Sequence, residues 1–309
     1  MPLTINLYYY IDPFEATAQM KKNPLLSIVI ANYNNGKLLP AALESILCQD
    51  CNDYEVIVVD GGSTDNSVDI IRHYEAHLSW WVSEPDHGQS NAFNKGYAHA
   101  NGRFLTWLNA DDLLLPGTVS ALKRTVEKHP EAEWITGNFV RFLHSDGTII
   151  EAPWGPHYLP GWLQGDRRIV VSFGPTTFWS RQIYDTIGPL DEELHYVMDI
   201  DYWQRINNQG FRQIRLNHAC WGFRMHEDSK TAEYGEHKID DKATAALQNE
   251  KRHINLKNHY SPTTFWRQMG LLCRCIDGSV LTAIYRKCFV KGKKLTEYYH
   301  FSFDTLLNK

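Results

Sequence analysis

Four short apolar runs, each cut off by a polar turn, constrain this chain more than any other feature. Leu26 to Ile30 (LSIVI) stops at Ala31-Asn32-Tyr33-Asn34-Asn35-Gly36, and Glu55 to Val59 (EVIVV) stops at Asp60-Gly61-Gly62-Ser63-Thr64-Asp65. Trp80 to Ser83 runs into Glu84-Pro85-Asp86-His87, and Phe104 to Leu108 into Asn109-Ala110-Asp111-Asp112. Strands without polar alternation have to be covered on both faces, a condition met by a parallel sheet between two layers of helices. The segments between them supply such helices: Leu38 to Cys48, a stretch with Val68, Ile70 and Ile71 inward and Thr64 or Asp65 as N-cap, and Gln89 to Ala100. Open α/β sheets bind ligands outside the carboxyl ends of their strands. The four polar turns are therefore expected to converge on one crevice.

The second half is less regular. Trp134 to Leu143 reads as a strand, with Gly147 to Pro153 returning as a hairpin. A short helix ends at Tyr184 to Gly188, and Asp199 to Asn208 reads as a helix opening on acids, which its dipole favours. Residues 234 to 257 are polar and helical in pattern. The tail from Ser261 mixes aromatic and basic residues, a pattern equally suited to an anionic membrane surface, a partner subunit or a hairpin packed on the main domain.

Composition narrows the class. With 43% hydrophobic and 22% charged residues the 309-residue chain has the profile of a soluble globular protein, and a net charge of −5 gives no basic field for nucleic acid. No apolar run reaches the roughly 18 residues of a membrane span, and the first residues lack a signal-peptide core, so a cytoplasmic protein is expected. Cys48 and Cys51 form a C-x-x-C without a second pair, which reads as reduced thiols rather than zinc; Cys273, Cys275 and Cys288 read the same way.

Two adjacent carboxylates, Asp111 and Asp112, at a strand end repel each other and call for a positive partner. With that feature in place, "SIVIANYNNGKLLPAALESILCQ", "EVIVVDGGSTDNS", "SEPDHGQSNAFNKG" and "GRFLTWLNADD" together resemble the family 2 glycosyltransferases of GT-A fold, in the version similar to bacterial enzymes of surface polysaccharide synthesis. The resemblance covers about residues 26 to 231. It implies a Rossmann-like, mostly parallel α/β sheet with helices on both faces, within a catalytic domain at 25–233. That domain would lie between an N-terminal extension (1–24) and a helical C-terminal region (234–309).

The same resemblance implies the site. A divalent cation, Mn²⁺ or Mg²⁺, would bridge the protein to the diphosphate of a nucleotide-sugar donor. Asp111 matches the second aspartate of the family's Asp-x-Asp motif, and Asn109 stands in the first position. Asp112 would support Asp111 or cap the next turn. Asp60 falls where the family reads the nucleotide base, with Asn32 and Asn34 beside the nucleoside and Asn91 and Lys95 on a helix facing the crevice. In "PLDEELHYVMDIDYWQRI", Asp199 matches the catalytic base and Met198 replaces a Glu. Asp201, two residues on, faces elsewhere on the helix. In "WGFRMHEDSKT", His226 would be a further metal ligand, with Arg224 and Lys230 on the diphosphate. Trp154 or Trp162 would line an acceptor site, whereas Trp179 and Trp203 read as core.

The resulting expectation is an inverting, metal-dependent glycosyltransferase that takes a UDP-sugar to a growing glycan, free or lipid-linked, with peripheral membrane contact through the C-terminal region. Two alternatives stay open: a non-catalytic sugar-nucleotide or glycan binder on a transferase fold, and a nucleotidyltransferase. The loop at residues 31–37, with one Gly and one Lys, disfavours the latter.

Overall fold

The computed structural model describes residues 23–151, 174–226, 241–258, 288 and 291–295. Four parallel strands form the first half of a nine-stranded sheet: β1 (Leu26–Asn32), β2 (Tyr54–Asp60), β3 (Trp80–Ser83) and β4 (Phe104–Asn109), in the order β3-β2-β1-β4. The sheet then becomes mixed. β4 pairs antiparallel with β8 (Thr177–Ser180), and the order continues through β6 (Trp134–Leu143), β9 (Gln213–Met225) and the two-residue β5 (Leu113–Leu114). β9 runs parallel to β6, and β7 (Ile149–Glu151) folds back on β6 as the expected hairpin. The sequence gives no signal for β8 and, for β9, only a possible strand ahead of His226; the pairing of both is wholly long-range.

The unbroken apolar runs are explained by what lies on each face. Ile28, Ile30, Val56 and Val58 bury one way, against Leu43 and Ile46 of α1 (Leu39–Leu47), Ile71 of α2 (Ser67–His73) and Leu122 of α4 (Thr118–Lys128). Their neighbours Val29, Ile57 and Val59 bury the other way, against Phe93 and Tyr97 of α3 (Gln89–His99). That second core extends through Trp107 and Trp179 to α5 (Arg181–Ile187), α6 (Met198–Asn208) and α7 (Asp241–Lys257). Trp107 stacks on Trp203 with ring centroids 5.4 Å apart and planes 8° from parallel, and Trp179 meets both edge-on, as aromatic quadrupoles prefer. Trp179 and Trp203 are thus core residues, as their sequence context suggested.

Two local features depart from the expected pattern. α2 begins at Ser67 rather than at Thr64 or Asp65, and its N-cap residue Asn66 makes no side-chain cap; instead Asp65 Oδ1 accepts the Ser67 N–H at 3.0 Å. Glu55, within an otherwise apolar strand, is buried because Ser27 Oγ and the N–H groups of Asn101 and Gly102 donate to its carboxylate.

Helix α3 sits close to the sheet because Gly96 lacks a side chain. A methyl group there would lie 2.2 Å from Val29 Cγ1. Gly96→Ala should therefore destabilise the protein by about 1–3 kcal/mol despite its better helix propensity. Urea denaturation checks this, and an unchanged midpoint would show that α3 has room to spare.

Candidate active site

Register builds the first part of the site. Asn32, Asp60 and Ser83 are direct neighbours across the ends of β1, β2 and β3, and Asn109 of β4 pairs with Ala31, one residue before Asn32. Asp60 is fully buried and saturated with donors. Asn32 Nδ2 and Ser63 Oγ reach Oδ1 at 2.6 and 2.5 Å; the Ser63 N–H and Ser83 Oγ reach Oδ2 at 2.9 and 2.6 Å. Burial alone would raise this carboxyl, but the hydrogen bonds from Ser63, Ser83 and Asn32 outweigh it and hold the group below its ordinary value. Asn34 is left-handed, with φ of 51°, and its Oδ1 accepts the Thr64 N–H at 2.8 Å, latching the β1 loop to the β2 loop. Tyr33 beside it is 62% exposed.

The adjacent carboxylates at the end of β4 have opposite fates. Asp112 turns inward, where it accepts from Asn109 Nδ2 at 2.9 Å and from the Arg224 N–H of β9 at 3.0 Å. Burial, and then the charge of Asp111, push its carboxyl well above the usual range. Asp111 turns toward the crevice, its Oδ2 3.0 Å from His226 Nε2. The expected positive partner is Arg224, though not as a diphosphate contact. Its side chain is buried, with Nε donating to the Asp111 carbonyl at 2.7 Å, Nη1 lying 3.2 Å from His144 Nδ1 and the guanidinium over the Phe142 ring. It braces the acidic turn from behind. A guanidinium only donates, so His144 Nδ1 is the acceptor. Burial, with Arg224 and His226 adding to it, holds the His144 imidazole below its ordinary pKa.

Asp111 and His226 suit a divalent cation that is shared with a substrate. Both side chains are partly open, and they present one carboxylate and one imidazole side by side. Among the described residues no group of three or more His, Cys, Asp or Glu side chains is placed to hold a metal ion. Among the described residues this pair could supply two ligands, with further positions open to phosphate oxygens and water, the common arrangement for Mg²⁺ and Mn²⁺.

The third part of the site is the start of α6. Asp201 is buried and fully engaged, by Arg205 Nε at 2.8 Å and Asn258 Nδ2 at 3.0 Å, which makes it structural. Asp199 is different. It is partly exposed, and among the described residues its carboxyl accepts from backbone N–H groups, those of Ile200 at 2.8 Å and of Gly174 among them. Desolvation dominates these hydrogen bonds and the attraction of Lys251, so its pKa is raised. The first turn of α3 joins this end to the acidic turn: Gln89 Nε2 donates to Asn109 Oδ1 at 2.6 Å, and Ser90 Oγ lies 3.0 Å from Met198 Sδ.

Other expected contacts have different partners. Lys95 pairs with Glu84 at 2.8 Å, and Asn91 Nδ2 donates to Glu192 at 2.8 Å. Lys230, Trp154 and Trp162 lie outside the described residues. Ser83, Gln89 and His144 are the polar side chains that sequence reasoning did not select. Ser83 was legible as the last residue of a strand beside Asp60. His144 follows a strand whose partner, β9, no local pattern reveals.

The comparisons agree with this architecture. The model described as glycosyl transferase family 2 matches residues 27–225. A PGL/p-HBAD biosynthesis glycosyltransferase of Mycobacterium tuberculosis is 30% identical over 183 residues, covering 58% of this chain and 68% of the relative. Glycosyltransferase GlyG of Streptococcus pneumoniae is 32% identical over 128 residues, covering 40% and 42%. Among solved structures, S. aureus TarS 1-349 in complex with UDP-GlcNAc is similar with a TM-score of 0.55 at 18% identity, over 67% of this chain and 60% of that one. A mannosyltransferase from Pyrobaculum calidifontis in complex with GDP-Man and Mn²⁺ is similar with a TM-score of 0.52 at 17% identity, covering 86% and 88%. The fold is that of the GT-A glycosyltransferases, with a helix beyond the matched span. Among the described residues no helix is long and apolar enough to cross a membrane. By its sequence and by its fold, the chain belongs to glycosyl transferase family 2.

Proposed function

We propose that the protein transfers a sugar, with inversion, from a UDP-sugar to a hydroxyl of a growing glycan, free or lipid-linked, in the assembly of a bacterial surface polysaccharide. The observation that carries this reading is the pairing of Asp111 with His226 at 3.0 Å, beside the row formed by Asn32, Asp60 and Ser83.

In this reading the row of strand ends takes the base. A carboxylate accepts from a ring N–H of uracil or guanine, which cytosine and adenine do not present. For the base to reach Asp60, a hydroxyl donor has to swing aside. Asn109 and Asn34 border the ribose, and the first turn of α3 turns its unpaired amides toward the diphosphate. Lys230 would reach the same phosphates, whereas Lys95 and Asn91 steady the loops around them. Asp111 and His226 would hold the Mn²⁺ or Mg²⁺. When bound, that ion neutralises charge growing on the leaving diphosphate.

Asp199 then takes the proton of the acceptor hydroxyl as its oxygen bonds the anomeric carbon and the bond to the diphosphate breaks. A partly desolvated carboxylate is a stronger base than one in water, and the raised pKa of Asp199 serves that step. The sugar transferred is a hexosyl group in this proposal. Work at the inner face of the cell membrane fits the exposed Lys291 and Lys293 near a buried Leu295, a basic surface for anionic lipid.

Isothermal titration of UDP and of GDP, each with and without Mn²⁺, tests the donor half. UDP should bind in a Mn²⁺-dependent way, and Asp111→Ala should weaken it at least tenfold. Absence of binding for both nucleotides would overturn the transferase reading. Tighter binding of GDP would keep the reaction and change the base.

The base role makes a separate prediction. Asp199→Asn should keep UDP affinity within about threefold and lower turnover by about 10²–10⁴. In the wild type, activity requires the ionised carboxylate, so it should fall as pH drops through a midpoint above the ordinary value of about 4. A wild type that binds UDP but never releases it from UDP-sugars with any acceptor would instead be a binder.

A further inference from the structure

Helix α7 lies beyond residue 225, where the family match ends, yet its contacts close on the segment that carries Asp199. Leu247 and Ile254 bury in the core beside Val197, Met198, Tyr202 and Trp203. Those two apolar side chains would suffice to dock an amphipathic helix. The helix adds a row of directional contacts on the same stripe. The Glu250 carboxylate accepts the N–H groups of His195 at 3.2 Å and Tyr196 at 2.9 Å, one on each oxygen. Lys257 Nζ reaches Asp191 at 2.6 Å and lies 4.0 Å from Asp201. Asn255 accepts from Gln204 at 2.8 Å, and just past the helix Asn258 donates to both Asp201 and Gln204 at 3.0 Å.

These contacts bracket Asp199. Asp191, His195 and Tyr196 precede it; Asp201 and Gln204 follow it. The two N–H groups bound by Glu250 lie just outside α6, which starts at Met198, so they have no carbonyl of that helix to use. A carboxylate that receives both at once fixes the position and the angle of the chain entering the helix. Charge-assisted hydrogen bonds of this kind are stronger than neutral ones and directional, whereas apolar packing is non-directional. The loop is pinned on its other side too, because Glu192 accepts from Asn91 and Asn94 of α3. The entrance to α6 is thereby clamped between the nucleotide-side helix and α7.

We propose that α7 is a positioning element for the base, and that Glu250 is the residue that sets the entrance of α6 and so the placement of the Asp199 carboxylate. Glu250 acts through the backbone of His195 and Tyr196 and touches no substrate. The proposal rests on Asp199 being the base, and it carries a consequence for the family scaffold: in this chain, a helix outside the matched span completes the catalytic half of the site.

The test uses the full chain and the variants Glu250→Ala and Glu250→Gln. UDP binding is measured by titration, release of UDP from UDP-glucose and UDP-N-acetylglucosamine by steady-state kinetics, and backbone exchange by hydrogen–deuterium mass spectrometry. Glu250→Ala should leave the UDP Kd and the donor KM within about twofold and lower kcat at least tenfold. Peptides covering residues 195–201 should exchange at least tenfold faster, and those covering 60–63 should be unchanged. Glu250→Gln retains one acceptor oxygen of the same shape and should recover part of kcat; it also reads out the same split should the alanine variant fail to fold.

Faster exchange at 195–201 with kcat unaltered would overturn the proposal and leave α7 as packing alone. So would a loss of kcat accompanied by weaker UDP binding and faster exchange throughout the chain, because that is general destabilisation. If the wild type binds no UDP, the transferase reading fails by itself, and the exchange at 195–201 still decides whether Glu250 holds that segment.

Discussion

The buried carboxylate of Asp112 is the interaction on which the site depends. It is tied to Asn109 at the end of β4 and to the Arg224 N–H of β9, two strands that are not neighbours in the sheet. Those two bonds draw the acidic turn onto β9, and the Arg224 side chain locks it by bonding the Asp111 carbonyl. Asp111 then has one way to face, outward, and its position beside His226 follows from where β9 ends. Of the two adjacent acids, Asp112 lies inside and Asp111 stays partly open. The inner one is pushed toward its neutral form by burial and by its neighbour, and the outer one faces His226.

Much of the fold was legible in the sequence because its first half is written in local patterns. Continuous apolar runs such as EVIVV can be buried only on both faces, and the alternation of Val58 and Val59 between two cores is the result. The row of strand ends follows from parallel register, so Asn32 and Asp60 could be placed together before any coordinates. The second half relies on pairings between residues far apart, β4 with β8 and β6 with β9, and no periodicity announces them. For the same reason the inward turn of Arg224 was not legible. A positive residue near two acids reads as a ligand contact from sequence, and only the burial of its side chain distinguishes a brace from a contact. Lys95 has a partner in its own chain that the sequence pattern did not announce, Glu84, eleven residues earlier. The N-cap of α2 was displaced because an Asp two residues outside the helix bonds its first amide equally well.

The two departures from the family pattern, Asn109 and Met198, are consistent with their surroundings. Asn109 uses both ends of its amide, accepting from Gln89 at 2.6 Å and donating to Asp112 at 2.9 Å. An aspartate in that position has no donor to offer Asp112 and would set a second carboxylate against a buried one. Asn109 thus lets this chain keep Asp112 inside, with Asp111 alone at the crevice. Met198 lies 92% out of solvent in the aromatic core, its sulfur receiving the Ser90 hydroxyl. A Glu there would need its charge compensated among Trp107, Trp203 and Val197, whereas a thioether fills the space without that cost. Asp201, unlike Asp199, is held by side chains, those of Arg205 and Asn258. In the proposed reading Asp111 serves the cation and Asp199 the base, so the contacts that hold each matter correspondingly: Arg224 behind the first, Glu250 beside the entrance of the second.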